Sequence, residues 1–163
     1  MTSTEYPPTS AGDRPDLLAL ERQVCFALAV ATRSVLAVYR PILEPMGLTH
    51  PQYLVMLALW GDAPLSVKEL GALLQLDSPT LSPLLKRLQS AGLITRTRRA
   101  DDERIVEIEL TDTGRALRDQ AEQVPPTVIA RLGMDIGRLE ELHTALTEVI
   151  AAARHATGSD TLT

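Results

Sequence analysis

From Leu20 onward, the apolar positions Leu20, Val24, Leu28, Ala31, Val35, Val38 and Ile42 recur at spacings of three and four, which is one face of an α-helix. Asp16, after Pro15, supplies an N-cap. Pro45 and Gly47 stop the pattern, with a bend expected at Pro41. A helix of that length spans roughly 40 Å at about 1.5 Å per residue. That exceeds what a small domain covers, so the pattern predicts a partner chain along part of it.

Pro51 opens a second helix with Tyr53, Leu54, Met56, Leu57 and Trp60 as its apolar residues, closed by Gly61-Asp62-Ala63-Pro64. Ser66 with Glu69 three residues later is a capping box for a third helix running to about Leu74. Asp77 or Ser78 caps a fourth, with Pro79 in its first turn, Leu81, Leu84, Leu85 and Leu88 along one face, and Gly92 at its end. The period then changes from helical to alternating. Leu93 to Arg98 and Arg104 to Leu110 read as two short strands around a charged hairpin tip, residues 99–103. Thr111 caps a fifth helix, which Pro125-Pro126 interrupts. Asp135 caps a last helix through Leu139, Leu142, Leu146, Val149 and Ile150. Residues 1–15, rich in Pro, Ser and Thr without an apolar period, are expected to be a loose tail. The segment after His155 is expected to be loose too.

The 163 residues suit one domain of ordinary size. No apolar run approaches the roughly 20 residues of a membrane span, and the N-terminus lacks the basic-then-apolar layout of a signal peptide, so a cytoplasmic location without membrane contact is expected. The lone cysteine, Cys25, excludes an internal disulfide framework and a Cys-rich zinc site. The net charge of −5 argues at first against a nucleic-acid partner. Its distribution reverses that argument. Residues 86–104 hold six basic and three acidic groups, while the rest of the chain holds 10 basic and 18 acidic ones.

The positive stretch coincides with a helix, turn, helix, hairpin order, which is a winged helix-turn-helix. The fourth helix is the expected reader of the major groove, with Ser78, Thr80 and Ser82 in its first turns and Lys86 and Arg87 one turn later. Short hydroxyls reach base edges or phosphates, and the cations suit phosphate or guanine. The hairpin wing carries Arg96, Arg98, Arg99 and Arg104, suited to a narrow minor groove and its flanking phosphates. The plainer alternative is a charged hairpin that is merely solvated.

Asp102-Glu103-Arg104 followed by Leu110-Thr111 resembles the D-x-R…LT wing signature of the MarR family of dimeric bacterial repressors. The resemblance implies that Arg104 enters the minor groove with Asp102 helping to hold it. It also implies an intertwined homodimer built from the N- and C-terminal helices, mainly α with a small β-hairpin wing. Cys25-Phe26-Ala27-Leu28, Tyr39-Arg40-Pro41, Gly47-Leu48-Thr49, Pro51-Gln52-Tyr53, Trp60, Asp77-Ser78 and Leu81 through Leu88 are similar to the organic-hydroperoxide-sensing branch of that family (OhrR). The match covers about residues 16–120.

In that branch the cysteine at the Cys25 position is the peroxide sensor. Composition and spacing alone favour a small buried hydrophobe for a lone cysteine; the resemblance is what makes it a sensor. A thiolate attacks the peroxide and becomes a sulfenic acid. An apolar pocket favours organic hydroperoxides over hydrogen peroxide. The resemblance implies tyrosines that hydrogen-bond the sulfur across the dimer interface, and Tyr39 matches one of them. Phe26 and Tyr53 complete the expected pocket. The chain departs from the branch twice: Ala29 and His50 stand where tyrosines are common. His50 either donates an N–H to the thiolate, a charged imidazolium lowering the thiol pKa further, or is an exposed residue at a helix start. With no resolving cysteine, the sulfenic acid must be capped by a low-molecular-weight thiol or overoxidised.

The expected organisation is a tail (1–15), a dimerisation and sensor helix (16–50), a DNA-binding lobe (51–111), C-terminal dimerisation helices (112–156) and a loose end (157–163). The expected function is an operator-binding repressor released by organic hydroperoxide. The alternatives are a MarR-type repressor released by a small aromatic ligand, with Cys25 structural, and a peroxide-reducing thiol enzyme. No paired carboxylates or phosphate-binding glycine loop are present, and His50, His143 and His155 are dispersed. No enzyme activity, metal or cofactor is therefore expected.

Overall fold

The computed structural model describes residues 18–158, so the expected Asp16 cap and the first tail lie outside the described residues, as does most of the second. Residues up to Leu36 and residues from Ala37 onward form two separate compact units. The described residues hold seven α-helices and one three-stranded sheet: α1 (Val24–Leu43), α2 (His50–Asp62), β1 (Leu65–Ser66), α3 (Val67–Leu74), α4 (Ser78–Ser90), β2 (Ile94–Arg98), β3 (Val106–Leu110), α5 (Asp112–Ala121), α6 (Val124–Leu132) and α7 (Ile136–Gly158).

The first helix is shorter than its sequence pattern. A 3-10 turn at Leu20–Arg22 precedes it, and Gln23 is extended (φ −80°, ψ 118°), so α1 starts only at Val24. At 20 residues it measures about 30 Å. The segment Val24–Met46 is nevertheless long and apolar enough, by length and composition, to cross a membrane, with a mean hydropathy of 1.4 in its most apolar window. Thr32, Arg33 and Ser34 divide this segment into shorter apolar runs, so no uninterrupted run reaches the length of a span.

Local signals place most of the remaining boundaries. The Ser66 amide donates to Glu69 Oε2 at 2.7 Å and the Glu69 amide to Ser66 Oγ at 3.2 Å, closing the expected capping box of α3. Thr49 and Gln52 form a second box at the start of α2, with the Thr49 amide 2.9 Å from Gln52 Oε1, which explains why the Gln52 side chain is buried. The Asp77 carboxylate accepts from the Thr80 amide at 2.9 Å and Thr111 Oγ1 from the Gly114 amide at 3.0 Å. The Pro125-Pro126 pair does not merely interrupt. It occupies the first turn of α6, where a missing N–H costs nothing.

The core lies in the second unit. Tyr53, Val55, Met56 and Leu59 of α2 pack with Leu70 of α3 and with Leu81, Leu84, Leu85 and Leu88 of α4. Ile94, Ile108 and Leu110 of the sheet close it from the other side. The strand order is β1-β3-β2, all antiparallel. The two-residue β1, pairing Leu65 with Ile108 and Ser66 with Glu107, was not anticipated because two residues carry no visible alternation. The hairpin pairs Ile94 with Leu110 and Arg98 with Val106, so its tip runs from 99 to 105. By contrast α7 buries none of its residues, and Leu142, Val149 and Ile150 stand nearly half exposed.

Candidate nucleic-acid interface and redox site

The helix α4 buries its leucines at i, i+3, i+4 and i+7, and this turns the intervening residues outward. Ser78, Thr80, Ser82, Lys86 and Arg87 are accordingly all exposed. The turn into α4 is tight: Gln75 adopts a left-handed conformation (φ 55°), and a Cβ on Gly71 would lie 2.9 Å from the Leu76 carbonyl. Between α3, the start of α4 and the wing runs an open groove of about 780 Å³. Ser78 and Ser82 of α4 and Arg96 and Arg104 of the wing line it. So does Lys68 of α3, a cation that sequence reasoning missed. Its signal was present in the spacing, because Lys68 sits two residues after the Ser66 cap, at the end of α3 nearest the sheet.

The wing arginines differ in their partners. Arg98 Nη1 donates to the Glu103 carbonyl at 2.8 Å. Arg99 grips both oxygens of Asp101, Nε to Oδ1 at 2.9 Å and Nη2 to Oδ2 at 2.6 Å, and lies 3.6 Å from Glu107. The Asp101 hydrogen bond and charge raise the guanidinium pKa, and Arg99 in turn holds the Asp101 carboxyl below the usual carboxylate range. Hydrogen bonds from Ser66 hold the Glu69 carboxyl low, and the Arg99 charge adds to this. Asp102 makes its bond to the Arg104 backbone amide, at 3.0 Å from Oδ1. With the Ile105 amide on the Asp102 carbonyl at 3.0 Å, this is an Asx-type turn that shapes the tip.

The base of the wing is tied to α5 and α2. Thr111 Oγ1 donates to the Gly92 carbonyl at 2.6 Å, and the Thr111 amide to the Leu93 carbonyl at 3.1 Å. Trp60 Nε1 donates to the Gly114 carbonyl at 2.9 Å. Gly114 admits no side chain, since a Cβ there would fall 2.0 Å from the Leu93 carbonyl oxygen.

Cys25 is the second residue of α1 and is an exposed free thiol; Phe26 beside it is 38% exposed. Both belong to the N-terminal unit. In the other unit the structure brings Tyr39, His50 and Tyr53 together. The Tyr39 and His50 rings meet edge to face with centroids 4.8 Å apart, and Tyr53 lies 6.2 Å from Tyr39 and 6.5 Å from His50. Trp60 continues the row, 6.5 Å from Tyr53. His50 is half-buried, and burial lowers its pKa, which favours the neutral imidazole at pH 7. Burial, and then the neighbouring Tyr39, raise the pKa of Tyr53. No cluster of three or more His, Cys, Asp or Glu side chains among the described residues is arranged to hold a metal.

A family model described as transcriptional regulator SarA/Rot matches residues 37–121. The organic hydroperoxide resistance transcriptional regulator of Bacillus subtilis is 42% identical over 131 residues, which is 80% of this chain and 89% of that protein. Among solved structures, reduced AbfR bound to DNA, the Staphylococcus epidermidis protein, superimposes with a TM-score of 0.74 at 33% identity, over 85% of this chain and 94% of that one. CouR from Rhodococcus jostii RHA1, bound to p-coumaroyl-CoA, gives 0.69 at 25% identity, over 81% and 94%. The winged-helix geometry, the basic groove and these similarities agree: the chain belongs to the MarR family of DNA-binding transcriptional regulators, in its organic hydroperoxide resistance (OhrR) branch.

Proposed function

We propose that this protein is a homodimeric repressor that binds double-stranded operator DNA through α4 and the wing, and that oxidation of Cys25 by an organic hydroperoxide releases it. The observation that carries the DNA half is the single groove shared by Ser78, Ser82, Arg96 and Arg104. A recognition helix and a basic wing on one face suit a major groove and the minor groove beside it. Residues 51–111 make up this DNA-binding lobe. The apolar positions that α1 and α7 leave open are covered by a second copy, which makes residues 16–50 and 112–156 dimerisation segments. Dimerisation also accounts for the apolar length of α1 without a membrane, and a DNA-bound repressor works in the cytoplasm.

The exposed Cys25 thiol supports the redox half. Its thiolate attacks the outer peroxide oxygen of ROOH, the O–O bond breaks, RO⁻ leaves and takes a proton from water to become ROH, and cysteine sulfenic acid remains. A low-molecular-weight thiol then attacks the sulfenic sulfur, giving a mixed disulfide and water. The added bulk shifts the balance between DNA-competent and incompetent states, and a modest difference in affinity suffices. Tyr39, His50 and Tyr53 are the groups that would line the sulfur's pocket in the dimer. A neutral His50 serves there as a hydrogen-bond donor and not as a fixed cation. A gel shift with reduced protein, cumene hydroperoxide-treated protein and Cys25→Ser on DNA upstream of its own gene tests this. Cys25→Ser must bind and stay bound under peroxide; its release would sink the sensor assignment.

A second reading has its own support. A pocket of about 440 Å³ is walled by Trp60, Pro64 and Leu110 and edged by Arg115 and Arg118, and a relative was solved with p-coumaroyl-CoA. An apolar wall with cations suits an aromatic acid derivative, although Arg115 and Arg118 already pair with Asp112 and Glu122. Release of DNA by such a compound, and not by peroxide, selects this reading.

A further inference from the structure

The wing holds four arginines, yet they are not equivalent. The guanidinium of Arg99 is held by both oxygens of Asp101, faces Glu107 across the hairpin, and feels the charges of Asp102 and Glu69. These carboxylates come from the wing tip, β3 and the start of α3. A cation surrounded in this way is already neutralised by carboxylates of the protein, so it is poorly placed to neutralise a DNA phosphate and displace the cations condensed there. Two other wing cations, Arg96 and Arg104, line the groove beside Ser78 and Ser82, and Lys68 of α3 lines the same groove.

We propose that Arg99 is a positioning residue, which braces the wing tip against β3 through Asp101 and Glu107, and that Lys68 is the cation that joins Arg96 and Arg104 on the DNA phosphates. This rests on the reading that the groove faces DNA. Its geometric basis is the two-pronged grip on Asp101, which only a planar fork makes; a lysine ammonium cannot reproduce it.

The salt dependence of binding separates the two roles. Binding of a fluorescein-labelled duplex from the DNA upstream of the gene is followed by anisotropy between low and moderate salt. Lys68→Ala is expected to flatten the slope of log K against log salt by about 0.9 per protomer, the loss of one phosphate contact. Arg99→Ala is expected to weaken binding by roughly 3- to 10-fold with the slope unchanged, as loss of a positioning contact does. Arg99→Lys, which keeps the charge, is expected to be as weak as Arg99→Ala. In the Arg99→Ala background, Arg104→Ala is expected to cost less than it does alone while still flattening the slope, because an unseated wing keeps Arg104 on its phosphate in a poorer geometry. Thermal midpoints confirm that each variant is folded.

A flattened slope for Arg99→Ala, wild-type binding by Arg99→Lys, additive costs with Arg104→Ala, or an unchanged slope for Lys68→Ala each overturns the division. Failure of the wild-type protein to bind duplex with any salt dependence would instead overturn the DNA reading on which it rests.

Discussion

The Tyr39 ring meets the His50 imidazole edge to face, with centroids 4.8 Å apart, and this contact takes His50 partly out of water. Its pKa is therefore below the ordinary histidine value of 6.5. Between that lowered value and 6.5 the unfolded chain binds a proton at this site that the folded chain refuses. Stability is thus complete above pH 6.5 and falls as the pH drops through the window. The unfolding midpoint of the wild-type protein is expected to decline more between pH 7.5 and 5.5 than that of His50→Phe. Parallel declines in a pH series of thermal melts would contradict this.

Oxidation should be traceable at Cys25 alone. Mass spectrometry of protein treated with cumene hydroperoxide and then a small thiol is expected to show one mixed-disulfide adduct per chain, at Cys25. Cys25→Ser should show none.

Gln75 is the one non-glycine residue with positive φ among the described residues, at the turn between α3 and α4. A left-handed backbone costs an ordinary side chain about 1 kcal/mol. Glycine relieves it, while adding freedom to the unfolded chain. Gln75→Gly is expected to stabilise the protein by roughly 0.5 kcal/mol in urea titration, without loss of DNA affinity. A destabilised variant would mean that the Gln75 side chain matters more than its backbone.

Gly114 is a harder constraint. Gly114→Ala drives a Cβ to 2.0 Å from the Leu93 carbonyl oxygen, which is backbone and cannot rotate away. The wing base must move, and a loss of about 3 kcal/mol or more is expected. Trp60→Phe, which removes only the hydrogen bond to the Gly114 carbonyl and part of the ring, is expected to cost about 1–2 kcal/mol. Urea titration of both variants should rank them in that order.

The open apolar positions of α7 bear on assembly. Leu142→Glu with Val149→Glu places charges where a second copy is expected to pack, and leaves the core of the DNA-binding lobe untouched. Analytical ultracentrifugation is expected to find a dimer for the wild type and a shift to monomer for the double variant. A variant as dimeric as the wild type would remove α7 from the interface.

Much of this molecule is written in short-range patterns. The leucines of α4 at helical spacing, the Ser66–Glu69 box, the Asp77 and Thr111 caps and the alternation of β3 each involve residues within a turn or two of one another. Their physics is local, and they were legible from the amino-acid order alone, together with the charge of residues 86–104. The tertiary structure decided what depends on which elements meet. It added β1 to the wing because Leu65 and Ser66 fall beside Ile108 and Glu107. It assembled Tyr39, His50 and Tyr53 from two helices, and so made His50 neither freely exposed nor favoured as a cation. It also sorted arginines that look alike in sequence: Arg99 pairs with Asp101 of the wing tip and Glu107 of β3, while Arg96 and Arg104 face the groove. Charge can be counted along a chain, but the partner that neutralises it is chosen in space.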